Sequence, residues 1–480
     1  MNYAQQVGAA GLLLYPDPQD FNPKSNEQFG STNWIPKDTI RRDSLIWNGL
    51  GDPLTPGYPA TSYAYRLPIS SISLPQIPVQ PISYLSANRI LSLLSQGAKS
   101  SINDQSWAGQ SFDQTYKLGL GLNGTNFKLR LKINNKLVNQ TIYNVIGYIK
   151  GRVEPDRYVL IGNHRDSFVY GAIDSASGAG ALLELSRVFG QLKKSGWRPR
   201  RTIMFCSWGA EEFNLIGSTE WIEEHMKILH SRAVAYINSD ILVTGNGSIN
   251  VAASPLLYHA IFNATKEVPN PNKEEDEKTI YERWVINNPL MRNSSEMVVP
   301  VGNPFEDDEY DNNESFNSRR REHFKLEMNE PGVLLKNYMD SALQEVRPKV
   351  RPLDMRSVYA PFFTLAGIPV VEVTYTHLNI HKSSNDNQAS NLAFPLVHTQ
   401  YDTFDLIERQ IDPDFKYHKA ITQVLGEIIR DLADSLFLPF NLLDYAQVLR
   451  DFYLNLQMHA EPSLKKQGIN FGMLNVNSFL

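Results

Sequence analysis

The middle of the chain alternates two apolar patterns. IYNVIGYIKG, RYVLIGNH, RTIMFCSW and AVAYINSD are short, nearly continuous apolar runs and read as buried strands. Between them, GAGALLELSRVFGQLKKSG carries apolar residues at i, i+3 and i+4 and stops at Gly196, and GSTEWIEEHMKILHSR reads as a second helix. Strand alternating with helix predicts an α/β fold, a doubly wound mixed sheet with at least some parallel strands. In such sheets ligands bind beyond the carboxyl ends of the strands.

The flanks read differently. Residues 1–138 are rich in Pro and Gly and suggest a small mixed α/β domain without chemistry of its own. There GLLLYPDP predicts a strand closed by a proline turn, SANRILSLLSQG a helix ended by glycine, and KLRLKI a strand of period two. Residues 139–435 hold the α/β pattern, interrupted at about 270–350 by a polar, Asn/Glu/Arg-rich stretch that reads as an exposed insertion. Residues 436–480 turn helical.

Composition narrows the function. The chain has 480 residues, 42% of them hydrophobic, and a net charge of −5. No block of like charge suggests a nucleic-acid surface. The single cysteine, Cys206, cannot form an intrachain disulfide and reads as a buried strand residue. No apolar run is long enough for a spanning helix, and no signal peptide stands at the N-terminus. Asn-x-Ser/Thr acceptors at Asn123, Asn139, Asn246, Asn263, Asn293 and Asn313 mildly favour the secretory route.

The candidate chemistry sits just after the strand runs. His164 and Asp166 follow the second run, Asp174 comes ten residues past His164, Glu211 and Glu212 follow the third, and Asp240 follows the fourth. His398, in PLVHTQYDTFD, completes the set. Zinc takes imidazole nitrogen and carboxylate oxygen, and two zinc ions about 3.5–4 Å apart share a carboxylate. Asp174 suits the bridge. One ion takes His164, Asp174 and Asp240, the other Asp174, Glu212 and His398. Glu211 is left over as a general base and acid, and Asp166 can hold the second ring nitrogen of His164. A lone acid or histidine after a strand is usually a cap or a solvated loop residue, so the conjunction carries the weight.

HRDSFVYGAIDSASGAG, SWGAEEFNLIGSTEWIEE, VAYINSD and FPLVHTQYDTFDLIERQIDPDFKYH closely resemble the co-catalytic zinc peptidases of the glutamate carboxypeptidase II type, the N-acetylated-alpha-linked acidic dipeptidases. WNGLGDPLTPGYPATSYAYR resembles their protease-associated (apical) domain. The resemblance implies the same metal roles, a short-peptide substrate, a homodimer, and a type II ectodomain at the extracellular face of the plasma membrane. It also implies that this chain opens inside the apical domain and ends early in a C-terminal helical dimerisation domain, so that the membrane anchor is absent from it. A calcium ion is implied at Glu220 and Glu223, against the plainer reading of a solvated helix face. Relatives hold the peptide bond after the bridging aspartate in the cis form, here Asp174–Ser175.

Departures from the family pattern bear on specificity. Its three site arginines align with Asn250, Glu372 and Thr374, and an aspartate with Ala252. Arg41 matches the arginine for the substrate's C-terminal carboxylate, Lys117 the supporting asparagine, and Met355-Arg356-Ser357 a Ser-Gly-Asn run. Neutral and acidic side chains in place of a basic pocket predict a less acidic preference. The expectation is a carboxypeptidase or dipeptidase working by a hydroxide bridged between two zinc ions, with Glu211 as base. One alternative is an aminopeptidase using Glu372 for the substrate amine. The other is a transferrin-receptor-like binding protein without activity.

Overall fold

The apolar runs assemble into a six-stranded mixed sheet in the computed structural model, which describes residues 2–17, 35–45, 49–72, 74–94, 110–111, 114–115, 129–136, 138–274, 276–290, 347–377 and 394–466. The strands are β1 (Val145–Ile149), β2 (Glu154–His164), β3 (Arg201–Trp208), β4 (Ala233–Asn238), β5 (Ser248–Ala253) and β6 (Val370–Thr376), in spatial order β1-β3-β2-β4-β6-β5. β3, β2, β4 and β6 run parallel; β1 and β5 close the two edges antiparallel.

Helices cover both faces. Side chains alternate across a strand, so Phe205 and Trp208 of β3 point to opposite sides. Phe205 meets Phe189 of α1 (Gly178–Lys194) at 6.3 Å, and Trp208 meets Trp221 of α2 (Ile216–Arg232) at 5.2 Å. The doubly wound arrangement follows. Cys206 is fully buried, as its apolar run predicts. α3 (Tyr258–Glu267), α4 (Ile280–Asn287), α5 (Lys416–Asp434) and α6 (Leu442–Lys466) complete the regular structure used below. α5 buries Tyr417, Ala420, Ile421, Val424, Leu425, Ile428, Ile429 and Leu432 on one stripe. Each such large apolar side chain contributes about 1.5–3 kcal/mol on burial.

Two segments differ from the sequence pattern. Residues 129–133, within the alternating run, form no strand and have no ladder partner among the described residues. Leu131 packs instead beside Gly11 and Pro78, and a proline has no N–H to donate. The polar stretch near 270 holds α4, whose Ile280 and Tyr281 are buried, with Tyr281 against Phe262 at 5.9 Å. A run of charged residues before it and Glu282 and Arg283 within it hid this short helix. Residues 291–346 fall outside the described residues. Met1–Arg283 and Val350–Leu480 group as one compact unit and Trp284–Lys349 as another.

Parallel pairing decides where the chemistry goes. His164 lies beside Trp208, and Gly162 beside Asn238, so β2, β3 and β4 end together. α1 starts directly over the end of β4. A Cβ on Gly178 would overlap the carbonyl oxygens of Ser239 and Asp240, so only glycine permits this approach.

Candidate metal centre

His164, at the end of β2, is almost fully buried. Its Nε2 faces Asp174 Oδ1 at 3.0 Å and Asp240 Oδ1 at 3.1 Å. His398 Nε2 faces Asp174 Oδ2 and Glu212 Oε2, each at 3.1 Å. The two oxygens of Asp174 thus point to different histidines. The donor atoms of His164, Asp174 and Asp240, and those of Asp174, Glu212 and His398, all lie within 4.8 Å of one another in each group. Asp174 sits in a bend that follows Gly171 (φ +64°), and the Asp174–Ser175 bond is cis.

The backbone fixes both rings. His164 Nδ1 meets the Asp166 carbonyl oxygen at 3.1 Å, and His398 Nδ1 meets the Arg42 carbonyl oxygen at 3.1 Å. A carbonyl only accepts, so each Nδ1 carries the hydrogen and each Nε2 is turned inward. Nε2 and its carboxylate neighbours are then electron-pair donors pointing at a common space. Only a cation or a proton resolves that arrangement. In the metal-free chain it is a proton. Burial works against it, yet the charges of Glu211 and Asp240 with hydrogen bonds to Asp166 and Asp174 raise His164 well above its ordinary value. Burial likewise opposes protonation of His398, but its hydrogen bonds to Asp174 and Glu212 push it up to about 10. Asp174 is held well below the usual carboxylate range by the two histidines, despite burial. Buried Glu212 Oε1 has no hydrogen-bond donor. Two nitrogen/oxygen donor sets with a shared carboxylate and a buried carboxylate oxygen lacking a donor fit two zinc ions.

Glu211 belongs to neither set. Its Oε2 lies 3.8 Å from His164 Nδ1, and its side chain is 12% exposed. Burial raises its carboxyl well above the ordinary range; His164 opposes this, while Asp240, Asp174 and Glu212 add to it. Asp166 does more than the sequence suggests. Its carboxylate lies 3.6 Å from His164 Nδ1, and its two oxygens also accept the backbone amides of Glu211 and Glu212 at 3.1 Å each. It orients the glutamate turn, and the carbonyl of the same residue holds the ring.

The remaining expected residues fall outside the two donor groups. Burial lowers the Arg41 pKa, while the charges of Asp43 and Asp174 raise it. Ser357 donates to Asp240 Oδ2 and accepts from Asn238 Nδ2 at 2.8 Å, and the same Asn238 amide donates to Glu372 Oε1 at 3.0 Å. Asn250 Oδ1 accepts from Arg351 Nε at 2.6 Å. Thr374 is tied to the Ile241 carbonyl at 2.9 Å. Met355 and Arg356 are exposed rather than facing inward. Lys117 lies outside the described residues. Glu220 receives the amides of Asp52 at 2.7 Å and Ala60 at 2.6 Å, while Glu223 Oε2 is buried without a donor. Burial and the neighbouring Glu220 push the Glu223 carboxyl up to about 7.

Sequence reasoning missed Asn238, Arg351 and Asp402. The last was visible as an acid four residues past His398, but nothing marked its direction.

Residues 144–288 match the family described as Peptidase family M28. The chain is 36% identical over 481 residues to Aminopeptidase NAALADL1 of Mus musculus, covering 98% of this chain and 56% of that protein. It is 35% identical to Glutamate carboxypeptidase 2 homolog of Caenorhabditis briggsae, covering 99% of this chain and 54% of that protein. With Transferrin receptor protein 2 of Homo sapiens the identity is 31%, covering 97% of this chain and 48% of that protein. The chain spans about half the length of the curated relatives it matches. Among the described residues no helix is long and apolar enough to cross a membrane.

Proposed function

Because the chain belongs to the M28 peptidases, in the group that includes the glutamate carboxypeptidase 2 homologues and transferrin receptor 2, we propose that it is a zinc-dependent exopeptidase hydrolysing short peptides. The observation that carries this reading is the pair of donor groups joined at Asp174, with Glu211 beside them and outside both.

His164, Asp174 and Asp240 would hold one zinc ion, and Asp174, Glu212 and His398 the other. Bound there, two zinc ions would acidify the attacking water, polarise the scissile carbonyl and offset the acidic crowding around Glu211. Glu211 accepts the proton of the attacking water and returns it to the leaving nitrogen. Asp166 keeps Glu211 and Glu212 in their divergent directions through their amides. Phe168 packs edge-on against His398 at 5.0 Å and shields that side from water.

Two side chains suit the two ends of a short substrate. Arg41, near Asp174, suits a C-terminal carboxylate. Glu372, joined through Asn238 and Ser357 to Asp240, suits a free α-amine. A dipeptide satisfies both. Neutral Asn250 and Thr374 with acidic Glu372 disfavour acidic residues. For the whole protein we extend the reading to a homodimer at the extracellular face of the plasma membrane, with calcium at Glu220 and Glu223.

A retained donor set separates this reading from a binding protein without activity. Equilibrium dialysis of the purified chain against zinc tests it: about two ions per chain support the peptidase, and none overturns it.

A further inference from the structure

The geometry points to Asp402 as a positioning residue that joins the two loops carrying Asp174 and His398 and thereby sets the second metal position. The inference rests on the proposed zinc-peptidase reading and deepens it.

Asp402 is 1% exposed. Its carboxylate is turned into the bend that carries Asp174: Oδ1 accepts the Ile173 amide at 2.6 Å and Oδ2 the Asp174 amide at 3.2 Å. Its own carbonyl accepts the Ala172 amide at 3.3 Å. Three consecutive amides thus end on one residue, four positions past His398. Asp174 is non-helical (φ −116°, ψ 96°), so its amide has no helical carbonyl to turn to. A buried amide without an acceptor is costly.

A carboxylate is what the geometry requires. Two adjacent N–H groups need two acceptor oxygens, and an asparagine would turn one N–H₂ against one of them. The consequence is selective. His164 and Asp240 are placed by the paired ends of β2 and β4. Asp174 and His398 come from loops, and Asp402 joins the two loops. Loss of its clamp therefore acts mainly on the position built from Asp174, Glu212 and His398.

Asp412 supplies the control. It is equally buried and accepts the Tyr417 and His418 amides at 3.0 and 2.9 Å, capping α5 away from the ligands. Zinc number and affinity are read by chelator competition for wild type, Asp402→Asn, Asp402→Glu and Asp412→Asn, with the unfolding temperature of each metal-free chain. Asp402→Asn should weaken the ion held by Asp174, Glu212 and His398 by about 10–100-fold, and the other, which shares only Asp174 with the clamped loops, by clearly less. Asp402→Glu keeps both acceptors but lengthens the clamp, and should weaken the same ion to a smaller degree; it carries the test if the asparagine variant does not fold. Asp412→Asn should lose stability and bind both ions as wild type does. Two ions bound with unchanged affinities in either Asp402 variant overturn the role of Asp402 while leaving the peptidase reading standing, as does equal weakening in the Asp412 variant. A wild-type chain that binds no zinc overturns both.

Discussion

The Asp166 carboxylate accepts the Glu211 backbone amide at 3.1 Å, and its second oxygen takes the next amide along, that of Glu212. One side chain thereby fixes a turn whose two glutamates face different ways, one toward His164 and one toward His398. Asp166→Ala leaves two buried amides without acceptors and lets the glutamate turn drift. Zinc affinity should fall by about 10–100-fold, and turnover with it. Chelator competition checks this, and an unchanged affinity would show that the turn holds itself.

Gly178 is a second point where geometry permits one residue. A side chain there would overlap the carbonyl oxygens of Ser239 and Asp240 and push α1 off the strand end that delivers Asp240. Gly178→Ala should destabilise the chain by roughly 3 kcal/mol or more. Denaturant unfolding of the metal-free chain measures it; a change within about 0.5 kcal/mol would mean that the helix end yields freely.

Glu372 links stability to pH. Burial, with the charge of Asp240 adding, pushes its carboxyl up to about 7 from an ordinary 4.5. A folded pKa above the unfolded one contributes stability that is complete below about pH 4.5 and lost as pH rises through about 7. The loss from this group is on the order of 3 kcal/mol. Glu372→Gln still accepts from Asn238 and cannot ionise, so it should gain on wild type between pH 5 and pH 8. Urea unfolding of the metal-free chains at both values decides; an equal difference at both contradicts the assignment.

Substrate choice follows from the same wall. Asn250 and Thr374 are register partners on β5 and β6, with Glu372 on the same strand as Thr374; on the proposed reading the three replace a basic pocket, and Arg351, the cation brought beside them, is tied to Asn250. Neutral dipeptides should be cleaved at least about tenfold better than Asp-Glu or Glu-Glu. Glu372→Gln should narrow the gap between dipeptides with a free amine and their N-acetylated forms. A marked preference for the acidic pair in kcat/KM would refute this account of the pocket.

Part of the donor set is legible in the sequence because those ligands follow strong local signals. His164 and Asp240 end apolar strands, and Asp174 follows a glycine bend. What stayed hidden depends on pairing rather than on local pattern. β5 and β6 are short, and β6 alternates Val371, Val373 and Tyr375 with Glu372 and Thr374, so their place was set by their neighbours. The KLRLKI run shows the converse, since alternation makes no ladder where, among the described residues, no strand pairs with it. Both the carbonyl and the carboxylate of Asp166 face His164 Nδ1, and a sequence cannot show that the carbonyl lies nearer or that the carboxylate also takes the two glutamate amides. Arg351 reaches Asn250 only through an isolated bridge to Ala252 after a long polar stretch.

The most direct measurement is zinc content and peptide turnover of Glu211→Gln beside wild type. Both chains should bind two zinc ions with similar affinity, while kcat of the variant falls by about 10²–10⁴-fold. A variant that turns over near the wild-type rate, with both ions in place, would contradict the role of Glu211 and with it the chemistry assigned to this centre.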